Sequence, residues 1–147
     1  MRRNLRGWIA LPWPDRGRVL AMMLVGLPAI HLALRGTGFG RTRGWLERRS
    51  AMATPRRAST SDLDAATRLA RLAAIAGRRG PIHATCLRQS LLVYWLLRRR
   101  GLAPELKIGV QRIPGAMDAH AWVELEGIAL PPGPLAHQPF DLDSARG

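Results

Sequence analysis

An α+β domain preceded by a helical segment is predicted for this chain on three observations. Apolar residues recur at helical spacing up to Gly101, and the period then changes to two. Two alternating stretches follow, separated by a short turn, which describes an antiparallel meander. The length of 147 residues and an apolar fraction of 47% allow one real core and argue against disorder of the whole chain.

Residues 1–50 read as a basic, helix-rich segment. Its start, "MRRNLRGWIALPWPDRGR", is cationic, but Pro12, Pro14 and Asp15 interrupt it before any apolar run, so it does not read as a secretory signal. Val19 to Leu34 carries no formal charge, yet it contains Gly26, Pro28 and His31 and falls short of the ~20 residues that span a bilayer. A buried helical hairpin or an interfacial segment is the expectation, with Pro28 ending or kinking the first helix. "RGTGFGRTRGWLERR", Arg35 to Arg49, reads as a turn followed by a short basic helix around Trp45. Residues 51–60 are polar and contain Pro55, and are assigned to a linker, with 61–147 as the main domain.

Within that domain, Ser61 and Asp64 have capping-box spacing and start a helix with Leu63, Ala66, Leu69, Ala70, Ala73 and Ala76 on one face, stopped by Gly77 and Gly80–Pro81. The next helix runs from about Thr85 to Arg100. Thr85 or Ala84 is its cap, Arg98 to Arg100 sit at the negative end of its dipole, and Gly101 lies just beyond. It is apolar over more than half its girth and therefore buried, the central helix of the fold. "PELKIGVQRI" then alternates with Leu106, Ile108, Val110 and Arg112 on one face, "GAMD" turns, and "AHAWVELEG" sets Ala121, Val123 and Leu125 against His120, Trp122 and Glu124. Gly127 closes this strand and "IAL" forms a short third one.

Charge and cysteine usage narrow the function classes. Lys plus Arg number 23 against 10 acids, and all but Lys107 are arginines. A net charge of +13 attracts acidic partners. The arginines are spread along the chain with eight aromatics (five Trp, one Tyr, two Phe) and no recognisable binding module, which argues against nucleic acid as the partner. One cysteine excludes an internal disulfide framework and zinc-ligand spacing is absent, so no metal or cofactor is expected and a reducing cytoplasm is the expected setting, with peripheral membrane contact through residues 19–34 as the one exception.

The single cysteine, Cys86, lies at the start of the central helix, and two roles are open to it. A helix N-terminus stabilises a thiolate and offers backbone N–H donors to an oxyanion, but a free cysteine is also a common small core residue. Of the four histidines, His31 lies in the apolar run, His83 in the lead-in loop and His137 in a Pro/Gly-rich tail. His120 falls on a strand 34 residues after the cysteine, where it is either a base or a half-exposed strand residue. Cysteine at a helix start, then strands, then histidine on a strand is the order of papain-like and transglutaminase-like folds, in which tertiary structure joins nucleophile and base.

The segments "CLRQSLLVYWLLRRRGLAPELKIGV" and "AHAWVELEG" resemble the leader peptidases of lasso-peptide biosynthesis, a stand-alone transglutaminase-like cysteine-protease family. The resemblance is specific over residues 86–127 and looser outside them. It implies Cys86 as nucleophile and His120 as general base, acting on a ribosomally made precursor. It also implies a separate leader-binding recognition-element protein and an ATP-dependent macrolactam cyclase as partners. The family's third residue, an aspartate, falls where this chain has "LPP", Leu130 to Pro132, so it is missing, displaced, or supplied by Asp141 or Asp143 in "FDLD", of which Asp141, after the apolar Phe140, is the choice. A catalytically weak or inactive scaffold that binds precursor or recognition protein is the alternative that Pro132 favours.

Overall fold

A computed structural model describes residues 13–50, 54–79, 85–131 and 138–140 of the chain. Among these residues, three helices precede a four-stranded antiparallel sheet: α1 (Trp13–Arg49), α2 (Thr60–Arg79), α3 (Cys86–Arg99), β1 (Pro104–Ile113), β2 (Ala116–Leu125), β3 (Ile128–Ala129) and β4 (Gln138–Phe140). The strand order is β3-β2-β1-β4. This is the α+β arrangement expected, with α3 in contact with α1, α2, β1 and β2.

The first helix differs from expectation. Pro28 lies inside α1, and the break falls at Gly38, where φ is 77° and ψ 174°. Proline only removes one N–H and crowds one carbonyl, which a helix packed on a neighbour tolerates with a bend, whereas a glycine in the left-handed region stops the ladder. The turn expected ahead of the basic helix around Trp45 thus shrinks to one residue. Two threonines flank it: Thr37 Oγ1 donates to the Ala33 carbonyl at 2.9 Å, Thr42 Oγ1 donates to the Gly38 carbonyl at 2.8 Å, and the two hydroxyl oxygens lie 3.2 Å apart across the break. Gly26 lets α1 approach α3, since a Cβ there would stand 2.7 Å from Leu92 Cδ1. Met23, Leu27, Ile30 and Leu46 of α1 join the same buried cluster as residues of α2, α3 and the sheet. A stretch of α1, Ala21–Arg49, is the one helix among the described residues long and apolar enough to cross a membrane.

The capping box of α2 lies two residues ahead of the expected Ser61–Asp64 pair. Ser59 N–H donates to the Asp62 carboxylate at 2.9 Å and Asp62 N–H to Ser59 Oγ at 3.2 Å. Ser59 wins because Asp62 is also clamped by both guanidinium nitrogens of Arg56, at 2.6 and 2.8 Å. Hydrogen bonds from Arg56 first, and then from Ser59, hold the Asp62 carboxyl far below its ordinary range. The residues before α2, assigned above to a linker, are tied down where they are described: Arg56 N–H donates to the Gly101 carbonyl at 2.8 Å and Ala58 N–H to Glu126 Oε1 at 2.8 Å. Gly77 does not stop α2, which continues to Arg79; its missing side chain instead leaves room for Gln89 of α3.

The central helix ends as the sequence suggests. Gly101 (φ 77°) donates to the Arg98 carbonyl at 2.9 Å and Leu102 to Leu97 at 3.2 Å, the paired bonds of a Schellman motif. In the sheet, β2 begins at Ala116, so Met117 and Asp118, expected in the turn, are strand residues, and the turn is Pro114–Gly115. Leu106, Val123 and Leu125 are buried, whereas Val110 near the hairpin tip is 38% exposed, so the aliphatic face frays away from the helices. Glu126 and Gly127 both have positive φ (52° and 75°), as a two-residue hairpin loop requires. β4 lies beside β1, with Gly109 opposite Pro139; its Pro-containing sequence gave no strand signal.

Two tests follow from this packing. Gly26→Val forces a branched side chain against buried Leu92 and should cost about 1–3 kcal/mol in a urea unfolding titration. Because the Asp62 carboxyl is depressed in the fold, its stabilisation is complete above the ordinary carboxylate pKa and fades as pH falls toward the lowered value. The melting temperature of Asp62→Asn should therefore lie below wild type at pH 7, and the gap should close progressively in acid.

Candidate active site

The site forms where the N-terminal turn of α3 meets an uncovered edge of β2. β3 is two residues long and pairs with Glu124 and Leu125, so among the described residues the earlier part of that edge has no strand neighbour. Edge carbonyls must find other donors. Along β2 they do so at alternate residues. The Val123 carbonyl accepts from Leu130 N–H at 2.8 Å, the Ala121 carbonyl from Ser90 Oγ at 2.9 Å, and the Ala119 carbonyl faces Cys86 Sγ at 4.0 Å. Cys86 and Ser90 are four residues apart and so share a helix face; the strand's two-residue repeat brings their partners opposite them.

Cys86 is the first residue of α3 and is partly exposed. The preceding Thr85 takes the cap position with extended backbone (φ −64°, ψ 161°) but its hydroxyl makes no capping bond. Thr85 thus leaves the first-turn N–H groups without a cap from its own side chain, and the positive end of the helix dipole lies at the thiol. Such a terminus favours an oxyanion formed beside it.

His120 lies in the middle of β2, half-buried, directly after the Ala119 carbonyl that the thiol faces. The peptide group that touches Cys86 is thus the one that joins Ala119 to His120. Across the sheet, His120 is paired with Gly109, which brings no side chain against it. Its ring stacks on Trp122, 6.3 Å between centroids and 16° between planes, and Trp122 Nε1 donates to Glu124 Oε1 at 2.9 Å. The even-numbered residues of β2 therefore form a stacked row, in which Trp122 is 3% exposed and restrains the imidazole on one side.

A cavity of about 20 Å³ adjoins the thiol, lined among others by Cys86, Gln89, Ser90, Trp122, Leu130 and Pro131. That volume is close to the space one water needs. Leu130, where the sequence pattern expects the approach to an aspartate, is buried and held by Val123. Pro132, Asp141 and Asp143 lie outside the described residues. β4 carries the chain next to β1 immediately before Asp141. Gln89 and Ser90 were not singled out in the sequence as site residues; for Ser90 the signal was its place one turn beyond Cys86.

A cysteine at the start of the central helix and a histidine on the abutting strand are residue types that thiol acyl-transfer chemistry can use. A profile of the Transglutaminase-like superfamily matches residues 28–141, and the chain belongs to that superfamily. No curated protein matches the chain, and neither does any solved structure.

Ser90 is 8% exposed and its hydroxyl is the described donor to the Ala121 carbonyl. Ser90→Ala leaves a buried acceptor unsatisfied, and urea titration should show a loss of about 1–3 kcal/mol.

Proposed function

We propose that this chain is a cysteine peptidase that removes the leader from a ribosomally made lasso-peptide precursor. The observation that carries the chemical part is the thiol at an uncapped helix start, 4.0 Å from the peptide group that bears His120. The substrate rests on the sequence resemblance over residues 86–127.

In this mechanism, the Cys86 thiolate adds to the carbonyl carbon of the leader–core peptide bond. The oxyanion is held by N–H groups at the start of α3. Imidazolium at His120 gives its proton to the departing amine as the C–N bond breaks, leaving a thioester on Cys86. Neutral His120 then takes a proton from water, whose oxygen attacks the thioester; the thiolate leaves and the leader departs as a free acid. The freed core amine is the group that a separate ATP-dependent cyclase closes into the macrolactam. A leader-binding recognition-element protein presents the precursor. Asp141 is the proposed third member, and the setting is cytoplasmic.

A second reading has its own support. Leu130 and Pro131 put apolar side chains beside the thiol cavity where an orienting carboxylate is expected, which suits a scaffold that binds precursor or recognition protein without cleaving.

Precursor, recognition protein and this chain, incubated together and followed by mass spectrometry, separate the readings. Wild type should release leader and core; Cys86→Ala should release none, and His120→Ala should be slower by about 10²–10⁴. Cleavage that survives Cys86→Ala sinks the mechanism. An intact complex with no product from wild type favours the scaffold. If a primary amine added to the mixture ends up on the leader, the thioester is being used for transglutamination.

A further inference from the structure

A second concavity lies on the other side of α3. α1 and α3 leave between them a groove of about 900 Å³ that shares no lining residue with the thiol cavity. Gly26, Ile30 and Leu92 lie at its buried base, and Val25 (71% exposed) and Trp45 (46% exposed) stand along it. A recess of this volume lined mainly by apolar side chains has the form of a binding site.

The groove is polarised. Its charged lining residues are all arginines: Arg41, Arg48 and Arg99. Arg41 and Arg48 come from the part of α1 beyond the Gly38 break, and Arg99 from the last turn of α3, while Ala21 to Ala33 line the groove with apolar side chains. The salt bridges of the described residues use Arg43, Arg56, Arg57 and Lys107, and none of the three groove arginines. The Arg99 guanidinium lies 5.0 Å over the Trp95 ring, and Arg49 lies 5.3 Å over Trp45. Tryptophan and arginine are the side chains that most often dominate protein–protein binding energy.

We propose that this groove receives an acidic amphipathic helix from a partner protein. Two helices already flank the concavity, so a third can lay an i, i+3, i+4, i+7 apolar stripe between them, as helix-in-groove recognition does. Carboxylates at one end of that helix meet Arg41, Arg48 and Arg99. An anionic bilayer suits the geometry less well, because a lipid surface reaches a convex apolar face flanked by cations, whereas here the apolar residues and the arginines share the walls of a recess. The occupant leaves the thiol uncovered, so binding requires no chemistry at Cys86.

The test is selection from a peptide library displayed on phage, using the full-length chain as bait. Peptides that survive are synthesised with a fluorophore and titrated by anisotropy against wild type, the double variant Arg41→Gln/Arg48→Gln and Val25→Glu. All three substituted side chains are exposed in the structure, and circular dichroism melts verify that the variants fold. Selected peptides should combine apolar residues at three- and four-residue spacing with clustered Asp or Glu. Binding should weaken about tenfold or more in each variant and with rising salt. The proposal is overturned by peptides without acidic bias, by equal binding to the variants, or by failure to select any peptide. It is also overturned if phosphatidylglycerol vesicles bind the chain with the same dependence on Val25 and Arg48 while selected peptides fail to compete.

Discussion

The constraint on which the rest of this structure depends is the satisfaction of the outer edge of β2. A strand edge next to a helix is an awkward junction, because helix backbones have no donors to spare along their sides. The chain resolves it with side chains and a short loop. Ser90 supplies the hydroxyl for Ala121, Leu130 supplies an N–H for Val123, and the next carbonyl along, that of Ala119, faces the thiol of Cys86. The helix is thereby held against the strand in one register. A slide of one residue would move every strand group to the other edge, and a rotation of α3 would take Ser90 from its acceptor. The placement of Cys86 beside the His120 peptide is a consequence of that register.

Elsewhere the α3 contacts reinforce this choice. Leu91, Leu92 and Leu97 are fully buried, and Gly26 and Gly77 remove side chains where α1 and α2 come closest to Leu92 and Gln89. At the far end of the helix the polar contacts are concentrated on α1. Tyr94 donates to Glu47 at 3.1 Å, Glu47 also accepts from Arg43 at 2.8 Å, and Arg98 donates to Ser50 at 3.0 Å. Burial and the neighbouring Glu47 both raise the Tyr94 pKa, so the phenol keeps the proton that it shares with the carboxylate. Apolar contacts fill the middle of the helix, and directional bonds fix both ends.

The legible parts of the fold were those where one local rule acts alone. The change of period at Pro104 located β1, the glycine at position 101 located the end of α3, and the alternation of "AHAWVEL" separated Ala121, Val123 and Leu125 from the row of His120, Trp122 and Glu124. Positions decided by competition were misread. Ser61 and Ser59 both have capping-box spacing, and Arg56, six residues before Asp62, settled which was used. Pro28 and Gly38 both interrupt helices in isolation, and packing against α3 carried the chain through the first but had no remedy for positive φ at the second. Cys86 was legible as a helix-start thiol. Its nearness to the His120 peptide was not, because that follows from an edge carbonyl pattern set by a strand, β3, of only two residues.

The same pattern bears on how the ring of His120 is held. An orienting carboxylate fixes the imidazole tautomer and rotamer and stabilises the imidazolium. On β2, part of the rotamer restraint has another source: the backbone is fixed by ten paired residues of β1, Gly109 leaves space across the strand, and the buried Trp122 ring, itself bonded to Glu124, lies stacked at 16° to the imidazole. What stacking does not supply is a hydrogen-bond acceptor that selects the tautomer. Orientation and tautomer are thus separable demands at this site. The stacked row contributes to the first, and the second falls to a hydrogen-bond acceptor at a ring nitrogen. On this view Trp122 is as much a part of the site as the residue pair it stands beside.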